Sequence, residues 1–487
     1  MQLFSFPKSI PSPFRLTRIR DLPANLNQDT VTLKDLLGDP LISECWEFNY
    51  MHDIDFLMSA FDEDTRHLVK VHVVHGFWKR EDLSRVTLHE QAARYPNVAL
   101  HAAYMPEMFG THHSKMMILL RHDDTARIVI HTANMIVRDW TNMTQAVWMS
   151  PWLPLMKGPS QQENVHEAKP GSGAKFKVDL LNYLRAYDSR GRETCKPIIE
   201  KLMRFDFSEV KGALIASVPG RHKLNDSSPT RWGWAAMEQA LKTVPVHQQA
   251  EIAIQISSIA TLGPTDNWLK NTFSRALSGG RGVSLSQPPP SFKVIFPTAD
   301  EIRKSLDGYA SGGSIHTKIQ SPQQVKQLQQ ADKSAVLDSG RKRAAPHIKT
   351  YIRYGNKSHQ TIDWALLTSA NLSKQAWGEA ASAPGGSKGK STASSGDREV
   401  RIASYEIGVL VWPELWGEDA AMKATFMTDN LGDSRGGEFT EQEGKVTVAL
   451  RMPYSLPLQP YDNAEVPWVA TTNHEEPDWM GQVWRVE

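Results

Sequence analysis

The chain has 487 residues, enough for roughly two to four domains of ordinary size. With 40% hydrophobic and 22% charged residues, wholesale disorder is excluded. Fifty-five Lys plus Arg against 54 Asp plus Glu exclude a globally basic nucleic-acid coater, though not a local basic groove.

At the N-terminus, Lys8, Arg15, Arg18 and Arg20 precede the first acid, Asp21, as in transit peptides. Pro7, Pro11 and Pro13 break any helix there, and no apolar run suits a secretory signal, so no targeting segment is expected. Cys45 and Cys195 are too few for a disulfide framework or a four-cysteine zinc site, which fits a reducing compartment. Residues 68–74 form a β-rich run closed by His75-Gly76. The uncharged window 140–156 holds Thr, Asn, Gln, Ser and two prolines, which rules it out as a membrane span. Residues 213–218, 251–256 and 292–296 read as strands, and 232–244 and 267–277 as helices. Thr298 to Glu301 is a capping box opening another helix. This alternation predicts an α/β architecture with much of its sheet buried. Residues 157–175, 286–291 and 382–397 read as loops, the last of low complexity. A domain boundary near 207–208 gives an N-terminal domain over 1–208 and a C-terminal one over 209–487, the latter carrying a flexible insertion over 380–399.

An internal repeat organises the chain. His113-Ser114-Lys115 leads into the run 116–120, a turn, the strand 126–130 and then Thr132-Ala133-Asn134. His347-Ile348-Lys349 leads into 350–354, a turn, 364–367 and Ser369-Ala370-Asn371. Gln145 opens an apolar strand after the first asparagine, and Glu406 opens one after the second. The longer second spacing is accounted for by the low-complexity insertion. Two copies, each with its own mixed sheet flanked by helices, predict two domains related by a pseudo-twofold.

On a strand, residues two apart share a face, so His113 and Lys115 project together, as do His347 and Lys349. With Asn134 and Asn371 they surround one space rich in donors, without an obligatory carboxylate or a metal-ligand set. Such a set suits phosphoryl transfer, because lysine and amide donors hold nonbridging oxygens while histidine titrates near neutrality. One neutral imidazole attacks phosphorus while a protonated one delivers a proton to the leaving oxygen. A third triplet, His316-Thr317-Lys318, lacks the strand pair and the asparagine and is left out. His72, His75, His101, His112, His113 and His131 crowd the first half. They form no H-E-x-x-H or cysteine-paired zinc pattern, so no metal and no cofactor is expected.

These residues resemble the phospholipase D superfamily, whose duplicated halves each give an H-x-K motif to a shared site. Most members carry an aspartate five residues after the lysine. Leu120 and Tyr354 stand there instead, so the resemblance is to the tyrosyl-DNA phosphodiesterase branch, which uses the later asparagine. Phe109 to Met117, Pro346 to Tyr351, Thr368 to Lys374 and Ser404 to Leu410 carry the similarity.

The resemblance implies that His113 is the nucleophile and His347 the general acid, then the base, in hydrolysing a DNA 3′ phosphotyrosyl bond. Lys115, Lys349, Asn134 and Asn371 would hold the phosphate, with Gln145 and Glu406 supporting the histidines. Tyr50 and Phe109 would stack on bases near the 3′ end, and Ser258, Ser314 and Ser373 would contact DNA phosphates. The implied partners are DNA 3′ ends, single- or double-stranded, carrying phosphotyrosine or topoisomerase I-derived peptide. No membrane partner is implied, and the expected setting is a nuclear monomer. Residues 473–487 depart from the family's ending. Phospholipid hydrolysis or general nuclease action is the alternative within the superfamily, and a non-enzymatic DNA scaffold the alternative outside it.

Overall fold

The computed structural model describes residues 9–107, 109–158, 168–248, 250–260, 262, 267–283, 289–317, 328–331, 337–381, 399–431, 445–462 and 464–486. The segments 318–327 and 382–398, with Lys318 and most of the expected insertion, lie outside them.

In the first half the strands are β1 (Phe14–Leu16), β2 (Ile42–Phe48), β3 (Lys70–His75), β4 (Val98–Ala102), β5 (Met116–Arg121), β6 (Thr125–His131) and β7 (Ala146–Met149). They lie in the order β1-β7-β6-β5-β2-β3-β4. In the second half they are β8 (Ala213–Ser217), β9 (Glu251–Gln255), β10 (Ser291–Ile295), β11 (Leu328–Ala331), β12 (Thr350–Tyr354), β13 (Ile362–Thr368) and β14 (Glu406–Val411). Their order is β8-β14-β13-β12-β9-β10-β11, the same path strand for strand, with Leu458–Pro460 added beyond β11. In each copy three parallel strands are followed by antiparallel neighbours. The turns between β5 and β6 and between β12 and β13 each hold a non-glycine residue at positive φ, Asp124 and His359.

Helices α1 (Ile54–Ala60) and α2 (Leu83–Ala92) connect the parallel strands of the first copy. A short helix, α3 (Val137–Thr141), follows the Thr-Ala-Asn turn. Helix α4 (Gly173–Arg185) starts inside the stretch that reads as loop in sequence. Ser172 caps it by accepting from Lys175 N, and Gly173 lies so close to Phe207 O that no Cβ fits. Helix α5 (Trp234–Leu241) matches the expected helix. The expected helix over 267–277 is instead a π turn, Leu269–Phe273, running into α6 (Ser274–Ser278). The wide turn stacks Trp268 on Phe273, five residues on, with centroids 5.2 Å apart. Helix α7 (Ala299–Arg303) opens with the expected capping box, and α8 (Lys374–Trp377) matches α3 in the second copy.

Both faces of each sheet are covered, which is why 116–120 of β5, 364–367 of β13 and 407–411 of β14 read as unbroken apolar runs. Between the sheets, Phe48, Met116, Ile118 and Ile130 meet Ile352, Leu367, Ile407 and Val409 around Phe176, Leu180 and Leu184 of α4. The outer face of the first sheet buries Cys45, Met117, Leu119 and Val129 against Leu57 and Leu88. That of the second buries Ile252, Ile254 and Leu366 against Met237 and Leu241. The chain start bridges the halves: Ser9 and Ile10 pair with Thr447 and Val448, and β1 then joins the first sheet. No helix among the described residues is long and apolar enough to cross a membrane.

Candidate active site

The two H-x-K motifs enter their sheets from the same seam. Tyr405 N donates to Thr111 O and His113 N to Tyr405 O, at 2.9 and 3.0 Å, so residues 111–113 run along the second copy. Gly110 makes this possible, since a Cβ there would meet Ala403 O at 1.9 Å. The mirror contact runs the other way: His347 N and Ile348 N donate to Thr144 O at 3.1 and 2.9 Å.

The histidines are therefore held crosswise. Nδ1 of His113 lies 2.9 Å from Oε2 of Glu406, in the other half. Nδ1 of His347 lies 2.9 Å from the Gln145 amide and 3.1 Å from Oδ2 of Asp139, again in the other half. Each supporting side chain is itself anchored by the hydroxyl of its own copy's Thr/Ser-Ala-Asn turn. Thr132 Oγ1 lies 2.7 Å from the Gln145 side-chain amide, and Ser369 Oγ donates to Glu406 Oε2 at 2.5 Å. A proton on Nδ1 of His347 satisfies Asp139 and requires the Gln145 amide to face it oxygen-first; its NH2 then donates to Thr132. With the proton on Nδ1 in both rings, Nε2 is left as the acceptor atom of each, and in His347 it faces the Lys349 ammonium.

Asp139 is the functional residue that motif reasoning missed. It sits on α3, accepts from Asn134 N at 2.7 Å and from Ser314 Oγ at 3.1 Å, and is fully buried. Burial opposes its charge, but His347, Asn134 N–H and Lys349 hold its carboxyl below the usual carboxylate range. Its match in the second copy is Ala376 on α8, so comparing the copies gives no signal for it.

The lysines are buried at 0% exposure and close under the histidines. Lys349 Nζ lies 3.2 Å from Nε2 of His347 and donates to His347 O at 2.6 Å, while Lys115 donates to His113 O at 3.3 Å. Burial pushes Lys115 down to about 8 and Lys349 well below its usual range. Burial and the Lys349 charge take His347 to about 3. His113 is lowered by burial, with Glu406 opposing. An anion placed among these groups would stabilise the charged form of each.

The remaining residues of the expected set are placed as follows. Oδ1 of Asn371 accepts from Ser257 N and Ser258 N at 3.1 and 2.9 Å, which turns its NH2 away from them. Asn134 is 4% exposed and its Oδ1 has no partner. The Tyr50 ring lies 5.6 Å from that of His113, and Phe109 stands 78% exposed on the loop before it. Ser373 caps α8 by accepting from Ala376 N at 3.1 Å. Of the crowded histidines, His72 and His101 face each other at 3.1 Å. His112 bonds Asn49 O and Tyr187 OH. Among the described residues no three His, Cys, Asp or Glu side chains converge as metal ligands.

A duplicated α/β sheet pair meeting over two crosswise-held histidines, two lysines and two asparagines defines a phosphodiesterase site. The family model for tyrosyl-DNA phosphodiesterase matches residues 13–462. A probable tyrosyl-DNA phosphodiesterase of Schizosaccharomyces pombe is 32% identical, covering 98% of this chain and 96% of that protein. Tyrosyl-DNA phosphodiesterase 1 of Arabidopsis thaliana is 31% identical over 98% of this chain and 77% of its own. The yeast tyrosyl-DNA phosphodiesterase crystal structure shares the fold, with a TM-score of 0.63 at 21% identity over 94% of this chain and 98% of that one. The chain belongs to the tyrosyl-DNA phosphodiesterase family.

Proposed function

We propose that the chain hydrolyses the bond between a DNA 3′ phosphate and tyrosine, free or in a topoisomerase I-derived peptide, through a phosphohistidine. The observation that carries this reading is the crosswise pairing of both Nδ1 atoms, which leaves two Nε2 atoms facing one lysine-lined space. Lys115, Lys349, Asn134 and Asn371 hold the nonbridging oxygens. Nε2 of His113 attacks phosphorus, and Glu406 stabilises the positive charge that develops on the ring. The P–O bond to tyrosine breaks as His347 delivers its Nε2 proton to the phenolic oxygen. Neutral His347 then takes a proton from water, whose oxygen attacks phosphorus, and the P–N bond breaks to leave a 3′ phosphate. His347 is depressed first by burial and then by the two lysine charges; the phosphodiester anion offsets those charges and favours the protonated ring. Tyr50 and Phe109 would stack on bases, and Ser258, Ser314 and Ser373 would contact backbone phosphates. As a repair enzyme acting on chromosomal ends it would work in the nucleus, as a monomer.

The test is His347→Ala with a 3′ substrate bearing a good leaving group. A covalent DNA adduct should accumulate in that variant and vanish when His113→Ala is added. An adduct persisting in the double variant would reject His113 as nucleophile. Preference for phosphatidylcholine over phosphotyrosyl DNA would reject the substrate.

A further inference from the structure

A second cavity, of about 530 Å³, opens beside the reaction centre. It lies at the C-terminal ends of the parallel strands β9 and β10, where Gln255 and Ile295 end their strands, the position at which open α/β sheets take ligands. Thr144 and Pro346 line it as well, and Thr144 O is the acceptor that holds the His347 backbone. The cavity and the acid histidine therefore share a wall.

Its lining has two characters. Phe296, Pro297, Ile302 and Pro453 give an apolar side. Lys304, Arg341, Lys342 and Arg343 give a cationic one. The two acids present are already engaged: Asp300 pairs with Arg303 and Lys304, and Glu301 accepts from Thr298 N. Lys342 and Arg343 are exposed and have no carboxylate partner among the described residues. Arg341 is 4% exposed; its guanidinium donates from Nη1 to Thr17 O, while Nε and Nη2 have no acceptor. Burial and the Arg451 charge lower its pKa to about 9 and Asp429 opposes them, so near neutral pH the guanidinium keeps its charge beneath the cavity. The volume falls within the roughly 300–1,000 Å³ of ligand pockets.

We propose that this cavity is a nucleotide site distinct from the phosphate-binding lysines, with the apolar wall taking a base and Lys342 and Arg343 a phosphate. The nucleotide is a unit of the bound DNA chain or a free one; the chain source rests on the functional reading above, while the free source does not.

The experiment compares the wild-type chain with Lys342→Ser/Arg343→Ser, two surface substitutions whose melting temperature checks the fold. Phosphotyrosyl substrates of one and of fourteen nucleotides are assayed, and dAMP is titrated separately, with inorganic phosphate titrated alone to measure simple anion binding. If the chain fills the cavity, KM rises about tenfold on the long substrate and less than twofold on the short one, with kcat unchanged. The salt dependence of KM should flatten by roughly one phosphate contact. If free nucleotide fills it, dAMP affinity falls at least tenfold and both KM values stay. Unchanged KM and unchanged dAMP affinity together overturn the proposal. Wild-type failure on both phosphotyrosyl substrates would reject the functional reading and leave the dAMP comparison to decide the cavity.

Discussion

At the scale of single residues, charge balance around His347 decides the chemistry. Lys115, Lys349 and His347 are all held below their ordinary values, chiefly by burial. An anion entering the site raises each of the three, so more protons are bound in the complex than in the free protein at a given pH. Binding of phosphate or vanadate near pH 8 should therefore take up protons. Calorimetric titrations in buffers of different ionisation enthalpy measure this, and net release would contradict it. Asp139 works through His347, so Asp139→Asn should lower kcat by about 10–100-fold, as removal of such supporting carboxylates does. The loss should shrink on leaving groups more acidic than tyrosine, and the limb of the pH profile belonging to the acid should move to lower pH. A stability defect alone would move neither. Lysines, histidines, asparagines and the Gln/Glu pair are readable in sequence because each occurs twice in the same order along the repeat. Asp139 faces Ala376 across the repeat, so the signal that exposes the others is silent for it.

Among the elements, the repeat sets the strand order, and the departures from expectation are local. β1 is only three residues between prolines and charges, too short for period two to register, yet Phe14 and Leu16 are 3% and 1% exposed in the first sheet. The π turn is equally invisible, because apolar residues at 268, 269, 273, 276 and 277 fit an α-helix as well. The expected insertion leaves the fold at a closed neck. Glu379 and Ala380 pair with Arg401 and Val400, and Ala381 N donates to Glu399 O at 3.0 Å. Those flanks already form a hairpin end, so replacing 382–398 with an Asn-Gly turn should preserve the register. The melting temperature should stay within about 2 °C and kcat/KM within about twofold. A large loss of kcat/KM with an unchanged melting temperature would assign the segment a part in substrate handling.

For the whole molecule, the two sheets share one buried core and one reaction centre. An isolated first half would expose Phe48, Met116, Ile118 and Ile130 together with the inner face of α4, and each such side chain is worth roughly 1.5–3 kcal/mol when buried. The full chain should accordingly melt in one transition with calorimetric and van't Hoff enthalpies equal, and neither 1–208 nor 209–487 should fold when made alone. Two separated transitions would refute this. The crosswise hold on the histidines has a further consequence. A single copy of the unit could build this site only by meeting a second copy, so its output would fall with the square of its concentration on dilution. Joining the copies in one chain fixes their mutual effective concentration at about the millimolar level or above. Specific activity then becomes independent of the concentration of the chain.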